Sequence, residues 1–309
     1  MSKVDPVLEI TTKIGCKVSC KYCPQEKLIK AYSRKSKINE LTFQDFANIL
    51  NKIPKNVEIS FCGLSEPFLN KECINMILHA HENGYRIAIT TTLVGFEERY
   101  INLIQNIPFT FFYIHLPSDE NLEKIPIDSD YINIIKKLSE SKIDTRFVFH
   151  GKDIDRRVKH LIKGRIRWGE LFTRSGNVDL NESAKPKRIK GKIGCKREVL
   201  MNVLLPNGDV VICSSDFGMQ HVMGNLLEND YASLFTSSEY RKVKRGMLDD
   251  SEEILCRYCD TYVYKINPIA NSIFYVSKML GTITSFTDIF HFVTKAFKNT
   301  FFMLKPDKK

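Results

Sequence analysis

The chain has 309 residues, 43% of them hydrophobic, and its 46 Lys and Arg outnumber 36 Asp and Glu to give a net charge of +10. That length and apolar content support one barrel-sized domain with an appendage of about 100 residues, and exclude a disordered chain or a small disulfide scaffold. The opening MSKVDPVLEI lacks an apolar signal core, so the nine cysteines are read in a reducing, cytoplasmic setting where metal binding explains them better than pairing.

Strand-like apolar runs alternate with helical patterns from the start, the rhythm of a parallel βα sheet or barrel. A first strand is expected over residues 7–12, followed directly by Cys16, Cys20 and Cys23 in the spacing CxxxCxxC. Thiolates hold iron clusters in sets of four, so three close together with no fourth nearby leave one iron open to an outside ligand. A helix over 43–53 and a strand over 57–61 lead to Gly63-Leu64-Ser65-Glu66-Pro67. Taken alone, that segment also reads as a plain turn into a helix, with Ser65 as N-cap and Pro67 in the first turn. In the helix over 71–83, Cys73, Met76, Ile77 and Ala80 recur at i, i+3, i+4 and i+7, which assigns Cys73 to the core.

Strands over 86–91, 109–115, 145–150 and 166–172, with helices over 97–106, 129–140 and 153–163, complete six βα units. Active sites of βα barrels lie at the carboxyl ends of the strands. Thr91 and Thr92 stand at the end of the third strand, His115 closes the fourth, and Arg174 follows the sixth before a Ser-Gly-Asn turn. His115 also fits a rim position, and Arg174 a surface charge. Lys185, Lys187, Arg188, Lys190 and Lys192, continued by Lys196 and Arg197, form a basic run. Without interleaved aromatic residues it reads as a solvated loop, and no nucleic-acid partner is expected.

A second cysteine set follows: Cys195, Cys213, Cys256 and Cys259. Asn207-Gly208 between apolar runs signals a hairpin that would deliver Cys213 on its second strand, and CRYC is a compact knuckle. Four thiolates make a closed site, which iron–sulfur or zinc would satisfy. Residues 269–304 are apolar and aromatic, with Ile283, Phe286, Phe290, Val293, Phe297 and Phe301 at helical spacing. Lys278, Asp288, His291, Lys295 and Lys298 interrupt that run before about 20 apolar residues accumulate, so it reads as amphipathic helices packed on the barrel, or touching a membrane surface or partner, and not as a span.

The segment GCKVSCKYCP, with Tyr22 before the last cysteine, resembles the radical S-adenosylmethionine enzymes. That resemblance implies a [4Fe-4S] cluster on Cys16, Cys20 and Cys23 whose open iron chelates S-adenosylmethionine, with Tyr22 beside the adenine. Gly63, Ser65, Glu66 and Pro67 are similar to the family's GGEP segment, which holds the methionyl amino group, with Ser65 standing where a glycine is usual. Thr91 and Thr92 occupy the place of contacts to the methionyl carboxylate or ribose, and His115 that of a polar residue reaching the cofactor. The C-terminal third resembles the SPASM or twitch domains, Gly208 to Cys213 matching GxxxxC, and its four cysteines imply one auxiliary [4Fe-4S] cluster.

The resemblance implies an α/β fold: a partial (β/α)6 TIM-like barrel over 1–180, a small α+β auxiliary iron–sulfur domain over 181–265, and an α-helical tail over 266–309. It implies an oxidoreductase or epimerase that abstracts hydrogen from a sugar, aminocyclitol or glycan precursor and takes electrons from a flavodoxin or ferredoxin. Arg174 would bind substrate or assist deprotonation. Cys62, which shares a strand face with Glu58 and Ser60, is a candidate hydrogen donor for epimerisation. A peptide-modifying maturase is the alternative, although the seven-cysteine pattern common among such proteins is incomplete here. A zinc protein that binds polyanions is more remote.

Overall fold

The computed structural model describes residues 4–180 and 186–266. The tail expected over 266–309 falls, after Ile266, outside the described residues, as does Lys185 of the basic run.

In chain order the first part contains β1 (Val7–Ile10), α1 (Gln25–Tyr32), α2 (Phe43–Leu50), β2 (Glu58–Phe61), α3 (Cys73–Glu82), β3 (Ile87–Thr91), α4 (Tyr100–Ile104), β4 (Phe111–His115), α5 (Ser129–Glu140), β5 (Thr145–Phe149), α6 (Arg156–Lys159) and β6 (Arg165–Trp168). The six strands pair in parallel in sequence order, the sheet of a partial TIM-like barrel. Side-chain caps set several helix starts. Thr42 accepts from Asp45 N at 3.0 Å ahead of α2, and Asp128 accepts from Tyr131 N at 2.9 Å ahead of α5. Helix α1 was not expected, because only its Gln25, Leu28 and Tyr32 are buried and so short a stripe gives little periodicity. Helices α4 and α6 are shorter than the pattern suggested.

Register sorts the side chains into two faces. Ile59 lies opposite Ile87, Ile89 opposite Phe112, and Ile114 opposite Phe147, all buried against Phe46 and Ile49 of α2, Met76 and Ile77 of α3, and Ile135 and Leu138 of α5. Each such side chain contributes about 1.5–3 kcal/mol by leaving water. The other face is polar: Glu9 lies opposite Ser60, Thr90 opposite Tyr113, Tyr113 opposite Arg146, and Arg146 opposite Arg165. This face lines the barrel interior.

The later elements are β7 (Ile193–Cys195), β8 (Met201–Leu204), β9 (Asp209–Val211), β10 (Val222–Asn225), α7 (Ser238–Leu248) and β11 (Val263–Lys265). Strand β8 pairs in parallel with β1, and β8, β9 and β10 continue antiparallel, so one sheet runs β10-β9-β8-β1-β2-β3-β4-β5-β6. The cysteine-bearing C-terminal part therefore extends the barrel sheet and covers the edge that β1 would otherwise expose. Strands β7 and β11 form a small antiparallel sheet. At the opposite end, β6 is exposed at all four residues and leaves the barrel open. Among the described residues no helix is long and apolar enough to cross a membrane.

Candidate active site

The three N-terminal cysteines lie in the loop between β1 and α1. Gln25, just past the last of them, braces this loop. Its Oε1 accepts from Cys16 N at 3.4 Å, its Nε2 donates to Leu64 O, and the same nitrogen lies 3.5 Å from Cys23 Sγ. Through Leu64 the brace reaches the loop after β2. There Gly63 adopts φ +54, and a Cβ on it would collide with Thr11 Oγ1 and fall 2.7 Å from Thr11 N, so only glycine fits without a shift. Leu64 N donates to Thr11 Oγ1 at 2.9 Å and Ser65 Oγ to Lys13 O at 2.5 Å, which fastens this loop to the end of β1.

Glu66, and not Ser65, caps the short 3-10 turn Pro67–Leu69, with Pro67 as its first residue. The carboxylate accepts from Thr91 Oγ1 at 2.7 Å, Thr92 N at 2.6 Å and Thr92 Oγ1 at 2.7 Å. Burial raises its pKa, and those hydrogen bonds draw it back down. Thr91 and Thr92 thus orient Glu66 in this structure.

One cavity of about 150 Å³ brings together Cys16, Cys20, Tyr22, Cys23, Cys62, Gly63, Ser65, Glu66, Thr91, Thr92, His115 and Arg174. Pro67 is the one expected residue that does not line it. The lining also includes Gln25, Ser214 and Phe217, which the sequence reading missed. The Tyr22 hydroxyl donates to Glu123 Oε1 at 2.7 Å, while Ser118 N and Oγ hold Glu123 Oε2 at 3.1 and 2.9 Å. The Tyr22 ring lies 4.7 Å from that of His150, and His150 lies 5.2 Å from His115. Burial, together with the charges of nearby Arg174 and Arg167, pushes His115 down to about 3, so it is neutral at physiological pH. The thiol of Cys62 approaches Ser60 Oγ at 3.4 Å, as the shared strand face requires, and burial pushes its pKa up.

The second cysteine set surrounds a neighbouring cavity of about 40 Å³, lined by Cys195, Cys213, Cys256 and Cys259 with Val199, Met201, Ile212 and Leu255. Cys195 ends β7, and Cys213 stands two residues past β9 and not on the strand as expected, because the strand gives way to a turn after Val211. Cys256 and Cys259 sit on the 3-10 turn Leu255–Tyr258 and at its C-cap. Between them Arg257 turns inward, fully buried, and donates to Ile189 O at 2.9 Å and to the carbonyls of Gly191 and Gly246 at 2.5 Å each. It pins the knuckle to the rest of the chain. Ser214 lines the first cavity and Ser215 the second, as do Arg174 and Ser175, so the two sites share a thin wall.

Both cysteine sets fit iron–sulfur clusters. Burial pushes Cys20 and Cys213 up to about 12 and raises Cys16, Cys23 and Cys256, so thiolates form here only beside a strong positive charge such as iron. Among the described residues no three of His, Cys, Asp and Glu stand close enough for a single metal ion.

The model of the radical SAM superfamily matches residues 10–163, and that of an iron-sulfur cluster-binding domain, SPASM, matches residues 195–260. No curated protein matches the chain. Among solved structures it is similar to BtrN in complex with AdoMet and 2-DOIA, at 16% identity and TM-score 0.56 over 84% of this chain and 95% of that one. It is similar to Streptococcus suis SuiB bound to precursor peptide SuiA, at 14% identity and TM-score 0.55 over 76% of this chain and 65% of that one. It is also similar to anSMEcpe with bound AdoMet, at 11% identity and TM-score 0.54 over 82% of this chain and 83% of that one. At such identities the likeness is one of fold.

Proposed function

The chain belongs to the radical S-adenosylmethionine superfamily and carries a C-terminal SPASM-type iron–sulfur domain, and on that premise we propose that it abstracts hydrogen from a sugar, aminocyclitol or glycan precursor in the first cavity. Cys16, Cys20 and Cys23 hold the [4Fe-4S] cluster that binds S-adenosylmethionine, and Cys195, Cys213, Cys256 and Cys259 hold the auxiliary one. The barrel part spans residues 1–180 and the auxiliary part 181–265. When bound and reduced by a flavodoxin or ferredoxin, the first cluster supplies the electron that cleaves S-adenosylmethionine to methionine and a 5′-deoxyadenosyl radical.

The chain's own residues prepare that site. Glu66, oriented by Thr91 and Thr92, faces the cavity with a carboxylate suited to the ammonium of the methionyl group. Tyr22, held by Glu123, and neutral His115 form a polar, uncharged wall beside it. Arg174 enters the same cavity and among the described residues forms no ion pair, placed to bind a substrate oxygen or take part in its deprotonation. The shared wall lets the auxiliary site accept the second electron of an alcohol oxidation. Cys62, also in the lining, is the candidate hydrogen donor if the outcome is epimerisation.

The observation that carries this reading is the convergence of the three-cysteine loop, the Gly63–Pro67 loop and the strand ends on one cavity that abuts a four-cysteine cavity. The four cysteines of the auxiliary part, in place of the seven common among peptide maturases, support a small substrate over a peptide. Anaerobic reconstitution is expected to give about eight irons per chain and reductant-dependent formation of 5′-deoxyadenosine. Cys16→Ala, Cys20→Ala and Cys23→Ala are each expected to abolish that formation, and its persistence in all three variants would sink the reading.

A further inference from the structure

The cysteines, the Gly63 loop and the strand ends leave the lower part of the inner wall without a task. Tyr113 lies opposite Arg146, and Arg146 opposite Arg165; one step along the same face, His115 lies opposite Val148, and Val148 opposite Arg167. Because His115 lines the cavity, this is the interior face. The guanidinium carbons of Arg146 and Arg167 stand 5.9 and 5.8 Å from the centre of the same Tyr113 ring. Arg174 lines the adjoining cavity together with His115.

Like charges gathered in this way repel unless an anion answers them. Among the described residues the protein answers only one. Among the described residues the arginines in ion pairs are Arg86, Arg99, Arg146, Arg157, Arg188 and Arg245, which leaves Arg165, Arg167 and Arg174 without a carboxylate. Arg146 meets Asp144 at 3.3 Å, but Asp144 is 70% exposed, and such a rim pair is worth at most about 1 kcal/mol. The Nε of Arg146 is shut off from water and has no hydrogen-bond partner. Glu123 is taken up by Tyr22 and Ser118, and buried Glu9 feels Arg197 more strongly than Arg174. The neighbouring histidines add no positive charge, since burial keeps His115 and His150 neutral. The exposed β6 edge opens this wall to ligands larger than the cavity.

We propose that this wall, with Arg146 and Arg167 about Tyr113, Arg165 opposite Arg146 and Arg174 in the adjoining cavity, binds a phosphoryl group carried by the substrate. The inference rests on reading the cavity as a substrate site, and it narrows the substrate class. Guanidinium forks match phosphate oxygens in pairs, whereas an aminocyclitol, cationic at neutral pH, would be repelled. A phosphorylated or diphosphate-linked sugar fits.

Reconstituted holoprotein with S-adenosylmethionine is titrated by calorimetry with pyrophosphate, UDP-N-acetylglucosamine and free N-acetylglucosamine. Both phosphorylated probes are expected to bind at least about tenfold more tightly than the free sugar. Arg167→Gln and Arg146→Gln should each weaken pyrophosphate binding by about tenfold, with Arg167→Lys intermediate, while Lys190→Gln with Lys192→Gln in the basic run changes nothing. Arg167 is exposed, so its substitution keeps the fold, as a melting curve will show. Farnesyl diphosphate in micelles distinguishes the source: tighter binding than UDP-N-acetylglucosamine supports the wall with a lipid-borne phosphate, the reverse with a nucleotide-borne one. Absence of phosphate binding, or binding that follows Lys190 and Lys192 and ignores Arg167, overturns the proposal. 5′-Deoxyadenosine is assayed in the same preparations. Cleavage without phosphate binding overturns the arginine wall and spares the radical reading; phosphate binding without cleavage supports the wall and removes that reading.

Discussion

The two cysteine sites differ in what surrounds their sulfurs. Around Cys16, Cys20 and Cys23 the lining carries polar and charged side chains, Glu66, Thr92, His115 and Arg174, among apolar ones, and the space is about 150 Å³. Around Cys195, Cys213, Cys256 and Cys259 it is apolar, with Val199, Met201 and Leu255, and about 40 Å³. A three-thiolate site in a roomier cavity with charged groups in its wall keeps a coordination position and space for a reactant. A four-thiolate site in a tight apolar one is closed to ligands and suited to passing electrons. On the proposed reading, chemistry belongs to the first and storage or relay to the second, with the wall of Ser214 and Ser215 between them.

Removing a ligand from the closed site tests this contrast most severely. Cys213→Ala or Cys256→Ala is expected to lose about four of about eight irons while 5′-deoxyadenosine formation persists. Such a variant should also melt at lower temperature, because the cluster ties the end of β9 to the CRYC knuckle. Loss of S-adenosylmethionine cleavage with the first cluster intact would erase the division of labour. A smaller effect is expected in the open site. Gly63→Ala must move the loop off Thr11, and is expected to weaken S-adenosylmethionine binding by about tenfold or more at unchanged iron content. Ser65→Gly, the residue the family pattern would place there, forfeits only the bond to Lys13 O, about 1 kcal/mol, and should stay within a few-fold of the parent in the same titration.

Much of this was legible in the chain itself, for identifiable reasons. Cysteine spacing survives folding because a cluster needs its thiolates on one short loop, and the βα rhythm survives because the barrel strands carry a mostly apolar face against the helices. Glu9 inside the run VLEI, opposite Ser60, belongs to the polar face, a detail the reading of that run as an apolar strand passed over. The rest depended on partners distant in sequence. Nothing near Tyr22 announces Glu123, and nothing in CRYC shows that Arg257 turns inward. The parallel pairing of β8 with β1 joins residues almost 200 positions apart, beyond the reach of local pattern. Cys213 slipped off its expected strand because a hairpin signal fixes where the turn begins and not how far the second strand runs.

The gentlest test concerns the wall beside the open site. His115 is pushed down to about 3 by burial and by its cationic neighbours. In the unfolded chain the same imidazole titrates near about 6.5. As pH falls through that value the unfolded chain takes a proton that the folded chain refuses, so stability is lost on acidification and is fully present above about pH 7. Between pH 8 and pH 6 this amounts to about 1 kcal/mol, measured by denaturant unfolding. His115→Phe should flatten that part of the slope and leave the iron content untouched. A slope that is the same in the variant would mean that the folded chain binds as much proton at His115 as the unfolded chain does, so that the wall beside S-adenosylmethionine gains charge below about pH 6.5 instead of staying neutral.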